Sequence, residues 1–576
     1  MKRFAIKIVG PAGFGIKITG VTLAKTFLRQ GFNVFGYTEY PSLIRGGHNT
    51  YQVDIADKEI KSASAKCDIL IGLTRSAINK ELKNINPDGI IICDEDLETI
   101  NTKIKVLRVP LVKIAKKHGD ELMKNTVALG VLMKALGLKM NKLEKVLEDI
   151  FKDKNGVAES NINAAQDGYE TVFKAIKPLE TPKKAEATLY MTGNQATAMG
   201  VIASGCQLYV AYPMTPATDI LHILEAKQRE IGMVVHQPED EIAAIHAVLG
   251  SSFAGVRSAC GTSGGGFALM NEGLSLAGQV ELPAVIFEVQ RPGPATGNPT
   301  WTEQGDLGFV LHAGHGEFPR IVIAPGDPDQ CFDLVQHAFN LADKYQVPVI
   351  VISDKFLGES GYSVPKDVFD EIDKIDRGKV YFTNQKFNKH AFKRYEVTAD
   401  GVSWRTIPTV DGGEHACLSA CHDEDGARCG EYIANSDEHN RLSLSDESSD
   451  VRTRMVNKRM AKLASIRQEI PLPRVYGPKS VKTTLVTWGS MFGPCLDAIS
   501  ELKDTNLILF NYLWPLPKNL DKFLKKFKNL VLVENNKTGQ LGKLIRSETG
   551  IEIKNKLLKY DSRPFWWDEI VSKLTK

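Results

Sequence analysis

The sequence lacks the long apolar segment that a membrane-spanning helix requires. Such a helix needs about 18 consecutive apolar residues, and no run in the 576-residue chain approaches that length. The chain also lacks a charge imbalance, because 72 lysines and arginines against 69 aspartates and glutamates leave a formal net charge of +3. This composition is typical of a globular protein and gives no reason to expect nucleic acid or a membrane as a partner.

The nine cysteines form no strong metal-binding pattern. The densest group, in EHACLSACHDEDGARC, contains Cys417, Cys421 and Cys429, and its spacing matches no common zinc or iron–sulfur motif. The other cysteines are scattered in apolar segments, as in reduced cytosolic proteins. The amino terminus, MKRFAIKIVGPAGFG, has neither the apolar core nor the cleavage site of a signal peptide. We therefore expect a cytoplasmic protein and assign no metal ligands.

Alternating strand-like and helix-like segments predict an α/β fold with three α/β domains. In the first part of the chain, β-rich runs such as RFAIKIVG, CDILIGL and GIIICDE alternate with helical runs, which predicts a parallel sheet. The polar segment KPLETPKKAEA marks a linker. The predicted organisation is a first domain over 1–180, a second over 188–370, an irregular region over 371–475 and a C-terminal domain over 476–576.

A glycine-rich turn, GPAGFG, stands between the first predicted strand and the first predicted helix. Glycines in such a turn let the backbone approach a phosphate at a helix amino terminus. The spacing is GxxGxG, not the GxGxxG fingerprint, and Glu39 at the end of the second predicted strand imitates a ribose-binding acid. A nicotinamide-dependent dehydrogenase is therefore one alternative, although tight strand–helix packing explains the turn more simply. The nearby YPSLIRGGHN, with Arg45 and His48, is interpreted as a loop at a surface or subunit contact.

Four segments of the second domain place polar residues where predicted strands end and helices begin. In an open α/β sheet, ligands bind at the carboxyl ends of the strands, so we expect these segments to form one pocket. Acids in the first turn of a helix also complement its dipole, so the acidic cluster alone does not require a catalytic role. The segments are YVAYPMTPAT with Thr215, VVHQPEDEIAAIHAVLG with Glu239, Asp240 and Glu241, CGTSGGGFALMNEG, and VQRPGPATGNPTWTEQGDLG with Arg291, Thr300 and Trp301.

Together these segments resemble the alpha subunit of 2-oxoacid:ferredoxin oxidoreductases, in the form with a gamma domain fused at its amino terminus. GPAGFGI and EYPSLIRGGH are similar to the gamma domain, and YPMTPAT is similar to the family's Tyr-Pro-Ile-Thr-Pro motif. EDEIAAI, TSGGGFALM and QRPGPATGNPT follow in the family's order, and VTWGS and ENNKTGQL resemble its carboxyl-terminal part. The resemblance implies a gamma domain, a thiamine diphosphate pyrimidine-binding domain and a transketolase C-terminal-like domain.

The resemblance also implies a function, the oxidative decarboxylation of a 2-oxoacid to acyl-coenzyme A and carbon dioxide with electrons passed to ferredoxin. In thiamine enzymes a glutamate binds N1′ of the cofactor's aminopyrimidine. In related domains this glutamate lies nine residues before a helix glycine, and Glu241 lies nine residues before Gly250. Glu239 and Asp240 are then helix-cap charges. The implied cofactor contacts are Tyr212, Pro213, Thr215 and Glu241, the implied catalytic residues are Glu241 and Thr215, and the implied substrate contacts are Thr215, Arg291 and Thr300.

The chain departs from the family pattern at Trp301, where many relatives have an arginine suited to a substrate carboxylate. The resemblance therefore does not choose among pyruvate, 2-oxoglutarate and other 2-oxoacids, and a non-catalytic assembly subunit is a second alternative. The sequence contains neither the GDG motif that holds magnesium and diphosphate in thiamine enzymes nor a CxxCxxC cluster motif. The resemblance implies that Mg²⁺ and a [4Fe-4S] cluster lie on a separate beta subunit, in a dimer of alpha–beta units, with coenzyme A as co-substrate.

Overall fold

The computed structural model describes residues 3–43, 46–182, 188–381, 392–407 and 432–575. Arg45 and the cysteine group at Cys417, Cys421 and Cys429 lie outside these residues. None of the described helices combines the length and the apolar character that crossing a membrane requires.

The chain up to residue 182 alternates strands and helices. Its described strands are β1 (Phe4–Ala12), β2 (Asn33–Glu39), β3 (Gly46–Ala56), β4 (Cys67–Gly72), β5 (Ile85–Asp94) and β6 (Lys105–Val109). Its described helices are α1 (Ile16–Arg29), α2 (Arg75–Glu81), α3 (Leu111–His118), α4 (Lys124–Ala135), α5 (Asn141–Phe151) and α6 (Val157–Glu170). Alternate residues of β1 face opposite sides of the sheet, so Ile6 and Ile8 pack in the larger core with α1 and α4, whereas Ala5 and Val9 pack with α2.

The next described segment, 188–381, continues the alternation. Its strands are β7 (Thr188–Thr192), β8 (Leu208–Val210), β9 (Val234–His236), β10 (Ser258–Thr262), β11 (Ala284–Gln290), β12 (Ile321–Ile323), β13 (Pro348–Asp354) and β14 (Gly361–Pro365). Its helices are α7 (Gly193–Ala203), α8 (Thr218–Ile231), α9 (Glu241–Phe253), α10 (Gly264–Leu269), α11 (Asn271–Val280), α12 (Leu307–His312), α13 (Pro328–Tyr345) and α14 (Lys355–Glu359).

The last part of the chain begins with a long helix that leads into a small α/β unit. The helix is α15 (Ser449–Glu469), within the region that the sequence predicts to be mostly irregular. The strands that follow are β15 (Arg474–Tyr476), β16 (Thr483–Trp488), β17 (Thr505–Phe510), β18 (Tyr512–Trp514), β19 (Leu530–Glu534) and β20 (Asn555–Leu558). The helices are α16 (Phe492–Glu501), α17 (Leu520–Leu524), α18 (Gln540–Thr549) and α19 (Trp567–Leu574).

The described strands form three sheets, and the predicted fold class is confirmed. Their orders are β6-β5-β4-β1-β3-β2-β14-β7, β18-β12-β13-β11-β10-β8-β9 and β15-β17-β16-β19-β20. Three strands join a sheet built mainly from another part of the chain: β14 and β7 extend the first sheet beyond β2, and β18 lies at the edge of the second. The sheets therefore cross the sequence positions at which we placed the domain boundaries, because strand pairing satisfies backbone groups regardless of where a linker lies.

The prediction of a parallel sheet in the first part of the chain is wrong for half of that sheet. Strand β3 pairs antiparallel with both β1 and β2, and only β1, β4, β5 and β6 form parallel pairs. The loop interpretation of YPSLIRGGHN is also wrong from Gly46 onward, where β3 begins, and His48 contacts Glu81 at 2.7 Å. The polar residues Gln52 and Asp54 of β3 are buried with partners, since Gln52 donates to Asp54 and Arg3 forms an ion pair with Asp54 at 2.8 Å; the sequence pattern does not reveal these contacts.

This strand order removes the structural basis of the dehydrogenase alternative. In a dinucleotide-binding fold, the strand before the glycine turn lies directly beside the strand that carries the ribose-binding acid. Here β3 lies between β1 and β2. Glu39 at the end of β2 instead has Arg563 of the C-terminal unit 3.6 Å away.

A buried ionic cluster holds helix α15 against the segment 188–381, which forms most of the second sheet. Lys458 and Lys462 of α15 reach Glu281, the residue that ends α11, at 2.7 and 2.6 Å, and all three side chains are almost fully buried. Burial raises the pKa of Glu281, but the two lysines and Arg394 outweigh it and hold the carboxyl below its usual range. Burial also lowers the pKa of Lys458 to about 7 despite the attraction of Glu281. One carboxylate is thus the counter-charge for two buried lysines, and burial lowers the pKa of both lysines.

Replacement of Glu281 by Gln should destabilise the protein strongly, because two buried lysines then lose their counter-charge. Removing one partner of a buried pair costs about 3–5 kcal/mol, which should lower the urea unfolding midpoint clearly. The matched control is Glu272→Gln on the exposed side of the same helix, where we expect a change of at most about 0.5 kcal/mol. Equal midpoints for the two variants would contradict the role assigned to Glu281.

Candidate active site

The four predicted segments meet at one edge of the second sheet. Strands β8, β10 and β11 lie side by side in parallel, and their carboxyl ends lead into the Thr215 loop, the glycine turn after Thr262 and the long loop after Gln290. The Glu241 helix, α9, follows the neighbouring strand β9. The sheet therefore gathers these segments at the edge where open α/β sheets bind ligands.

Glu241 is the first residue of α9, and its carboxyl group is buried. The two acids before it behave differently, since Glu239 is exposed and Asp240 caps the helix by accepting a hydrogen bond from the Ala243 amide at 2.8 Å. Asp240 caps the helix, so the Glu241 side chain is not needed as a cap. It points into the protein and is 3% exposed. Its Oε1 atom has no hydrogen-bond partner among the described residues. A buried carboxyl oxygen without a donor is a ready acceptor for a ligand.

The glycine turn makes room for this carboxyl group. A Cβ atom on Gly266 would overlap both Glu241 Oε1 and Thr262 Oγ1, so only glycine fits at this position. The hydroxyl of Thr262 in turn donates to Met214 Sδ at 3.8 Å, which connects the turn to the Thr215 loop. Ser263, at the start of α10, contributes a second buried oxygen without a partner among the described residues. The turn thus lines the Glu241 site with backbone and small polar groups.

Arg291 joins the long loop to the Thr215 loop. Its Nη1 donates a hydrogen bond to the Thr215 carbonyl at 2.9 Å. The guanidinium is about half-buried, and burial lowers its pKa from the ordinary value. No carboxylate of the described residues forms an ion pair with it. A partly desolvated cation without a counter-charge is suited to an anionic ligand.

The predicted substrate contact Thr300 uses its hydroxyl inside the chain. Its Oγ1 donates to the Tyr40 carbonyl at 2.6 Å, and the Tyr40 hydroxyl donates to Glu359 at 2.9 Å. The next residue, Trp301, lies under the guanidinium of Arg563, which stands 3.2 Å from the ring centre. The long loop is therefore held by both the first sheet unit and the C-terminal unit. Nothing in the sequence indicates Tyr40 or Arg563, because each contacts a loop more than 250 residues away along the chain.

Comparison with known proteins identifies relatives along the whole chain. The family model described as "Pyruvate ferredoxin/flavodoxin oxidoreductase" matches residues 5–171, and "Pyruvate flavodoxin/ferredoxin oxidoreductase, thiamine diP-bdg" matches residues 199–416. A 2-oxoacid:ferredoxin oxidoreductase subunit alpha of Saccharolobus solfataricus is 33% identical over 99% of this chain and 96% of its own length. The 2-oxoglutarate oxidoreductase subunit KorA of Mycobacterium tuberculosis is 29% identical over 99% of this chain and 91% of its own length.

A solved structure also matches the fold from end to end. It is the 2-oxoglutarate:ferredoxin oxidoreductase of Magnetococcus marinus with 2-oxoglutarate, coenzyme A and succinyl-CoA bound. The match has a TM-score of 0.88 at 30% sequence identity and covers 100% of this chain and 99% of that chain. The family resemblance inferred from the sequence motifs is thereby confirmed.

The close fit between Gly266 and Glu241 predicts a sharp difference between two neighbouring glycines. Gly266→Ala should displace the carboxyl group. If Glu241 contacts thiamine diphosphate, as the motif resemblance implies, cofactor binding should weaken by about tenfold or more, the loss of one good hydrogen bond to a charged group. Gly265→Ala is the matched control, because a Cβ there meets no atom within 4 Å, and alanine is the better helix former by about 1 kcal/mol. Isothermal titration of the chain with its partner subunit measures both. Equal binding by the two variants would contradict the proposed position of the pocket.

Proposed function

The chain belongs to the alpha subunits of the 2-oxoacid:ferredoxin oxidoreductases, and from this premise we propose that it completes a thiamine diphosphate site for oxidative decarboxylation. In the overall reaction, a 2-oxoacid and coenzyme A give acyl-coenzyme A, carbon dioxide and a proton. The two electrons released reduce two molecules of ferredoxin by one electron each. The observation that carries the proposal is the buried Glu241 Oε1 without a donor.

The residues around Glu241 fit the aminopyrimidine of thiamine diphosphate. The open position at Glu241 Oε1 matches the ring nitrogen N1′, where the carboxyl group holds a proton. Gly266 keeps the space beside this oxygen clear of side chain. Glu241 is 3% exposed, so little water competes for this oxygen, which strengthens a hydrogen bond there. When bound, the cofactor supplies the ring that accepts the electron pair released with carbon dioxide.

A second subunit covers this pocket in our proposal. Large apolar side chains are exposed next to the site: Tyr212 is 40% exposed, Ile242 beside Glu241 is 44% exposed, and Leu269, at the end of the helix that begins at the glycine turn, is 50% exposed. Apolar surface around a buried polar site is typical of an interface. The absent GDG and CxxCxxC motifs indicate that the partner supplies the diphosphate and Mg²⁺ site and the iron–sulfur cluster. A dimer of such alpha–beta pairs is the proposed assembly.

Arg291 and Thr215 are the proposed substrate contacts. Arg291 presents a partly buried guanidinium that no described carboxylate neutralises, so it suits the carboxylate of a 2-oxoacid. Its bond to the Thr215 carbonyl places the cation on the loop that carries the Thr215 hydroxyl. Coenzyme A, which is bound in the Magnetococcus structure, is the proposed acyl acceptor.

Glu241→Gln should abolish turnover, because an amide cannot hold the proton at N1′ as a carboxyl group does. We expect a loss of at least about 100-fold in coenzyme A-dependent reduction of a viologen dye, measured anaerobically with the beta subunit present and a panel of 2-oxoacids. Glu239→Gln, two residues earlier and exposed, is the matched control and should retain full activity. A fully active Glu241→Gln complex would instead identify the chain as a non-catalytic assembly subunit.

Arg291→Met should impair substrate binding more than turnover. Loss of a charge-assisted hydrogen bond to the substrate predicts a KM for the 2-oxoacid raised roughly 10- to 100-fold. The control is Arg229→Met, an exposed arginine near the end of α8, for which we expect an unchanged KM. A KM that Arg291→Met leaves unchanged would remove Arg291 from the substrate site.

A further inference from the structure

A second buried glutamate, Glu288, lies close to the Glu241 site and has no role in the mechanism above. It is near the end of β11, in register with Thr262 of β10, and is 0% exposed. Neither of its carboxyl oxygens accepts a hydrogen bond from any donor in the described part of the chain. An ionised carboxylate cannot remain in such a place without several kcal/mol of desolvation cost.

The side chain of Glu288 is in hydrogen-bonding contact with another acid, Asp306. Two adjacent carboxyl groups in a dry site cannot both be ionised. Burial, followed by the charges of Asp306 and Asp354, raises the pKa of Glu288 well above its ordinary value. Burial raises the pKa of Asp306 to about 6. Glu303, whose pKa is raised by burial and then by the charge of Asp306, is a further acid near the pair. Between a pH of about 6 and the raised pKa of Glu288, the pair therefore carries one proton.

The pair stands at the neck of the loop that carries Arg291 and Thr300. The chain leaves the sheet after Gln290 and returns at Asp306, whose amide donates to Gln290 Oε1 at 3.0 Å. The contact between Glu288 and Asp306 joins the same two chain segments, two residues before Gln290 on β11. On the other side, a Cβ atom on Gly264 would stand 2.5 Å from Asp306 Oδ2, so the neck abuts the glycine turn that lines the Glu241 site.

We propose that Glu288 is a positioning residue: a neutral carboxylic acid whose O–H donates a hydrogen bond to Asp306 and so fixes the base of the substrate-binding loop. The proton is what makes the contact attractive, because two carboxylates would repel each other across the neck. The effect on substrate binding rests on the proposed function, since that function assigns the loop to the 2-oxoacid. The protonation of Glu288 does not rest on it.

Infrared spectroscopy of the full chain, without cofactor or partner, tests the protonation. The wild-type minus Glu288→Gln difference spectrum at neutral pH should contain the carbonyl stretch of a protonated carboxylic acid. The matched difference for the exposed Glu272→Gln should contain carboxylate bands only. A Glu288 difference that also shows only carboxylate bands would overturn the proposal. This result does not depend on any activity, so a failure of the proposed function does not affect it.

Kinetics of the alpha–beta complex test the positioning. Gln keeps the volume and donates a similar hydrogen bond without titrating, so Glu288→Gln should retain the wild-type KM for the 2-oxoacid at neutral pH. Glu288→Leu removes the donor and should raise KM about tenfold with kcat changed less than about twofold. An unchanged KM in a folded leucine variant would show that the pair is structural only, and would overturn the proposal.

The dependence of KM on pH tests the proposal even if the Glu288→Leu variant does not fold. As the pH rises through the raised pKa of Glu288, the pair loses its shared proton, so the wild-type KM should increase at alkaline pH. This increase should be absent in Glu288→Gln, which has no proton to lose at this position. The same alkaline increase in both proteins would overturn the proposal.

Discussion

Burying a carboxyl group without a donor costs several kcal/mol. Four buried glutamates of this chain differ in how, and whether, their carboxyl groups are compensated. Glu534 is satisfied within the chain by Trp488, Asn536 and two helix amides. Glu281 is neutralised by two lysines, and Glu288 faces a second acid. At Glu241, one oxygen has no donor among the described residues, and the neighbouring Gly266 has no side chain to fill the space beside it. The fold therefore leaves Glu241 Oε1 free to accept a hydrogen bond at the position where we propose the cofactor ring.

The surroundings of Glu241 depend on all three sheet units. The loop that carries Arg291 is anchored to the first unit through Tyr40 and to the C-terminal unit through Arg563. Within this loop, Trp301 lies under Arg563, which brings a guanidinium to the ring from another part of the chain. The first unit is thus more than an appended domain, because it holds one side of the loop that we propose as the substrate contact.

The sequence predicts the fold class and the gathering of the four loops, because strand–helix alternation and the rule for strand ends are local signals. It does not predict β3, because Gln52 and Asp54 give this central strand a polar pattern. The hydrogen bond between them, which accompanies their burial, is not visible in the sequence. It predicts a cofactor contact at Glu241 only through a family spacing, and the oxygen without a donor among the described residues is an independent observation that supports this prediction. Asp306 and Glu288 escape sequence analysis because the strand and the loop bring them together without any fixed spacing.

The measurement that tests the central claim most directly is the ¹⁵N NMR spectrum of thiamine diphosphate labelled at N1′ and bound to the alpha–beta complex. The account predicts a large shift of the N1′ resonance from its free position, caused by the proton that the Glu241 carboxyl group holds there, and loss of that shift in Glu241→Gln. An N1′ resonance at the free position in the wild-type complex, or an equal shift in both proteins, would show that the open oxygen of Glu241 serves another purpose.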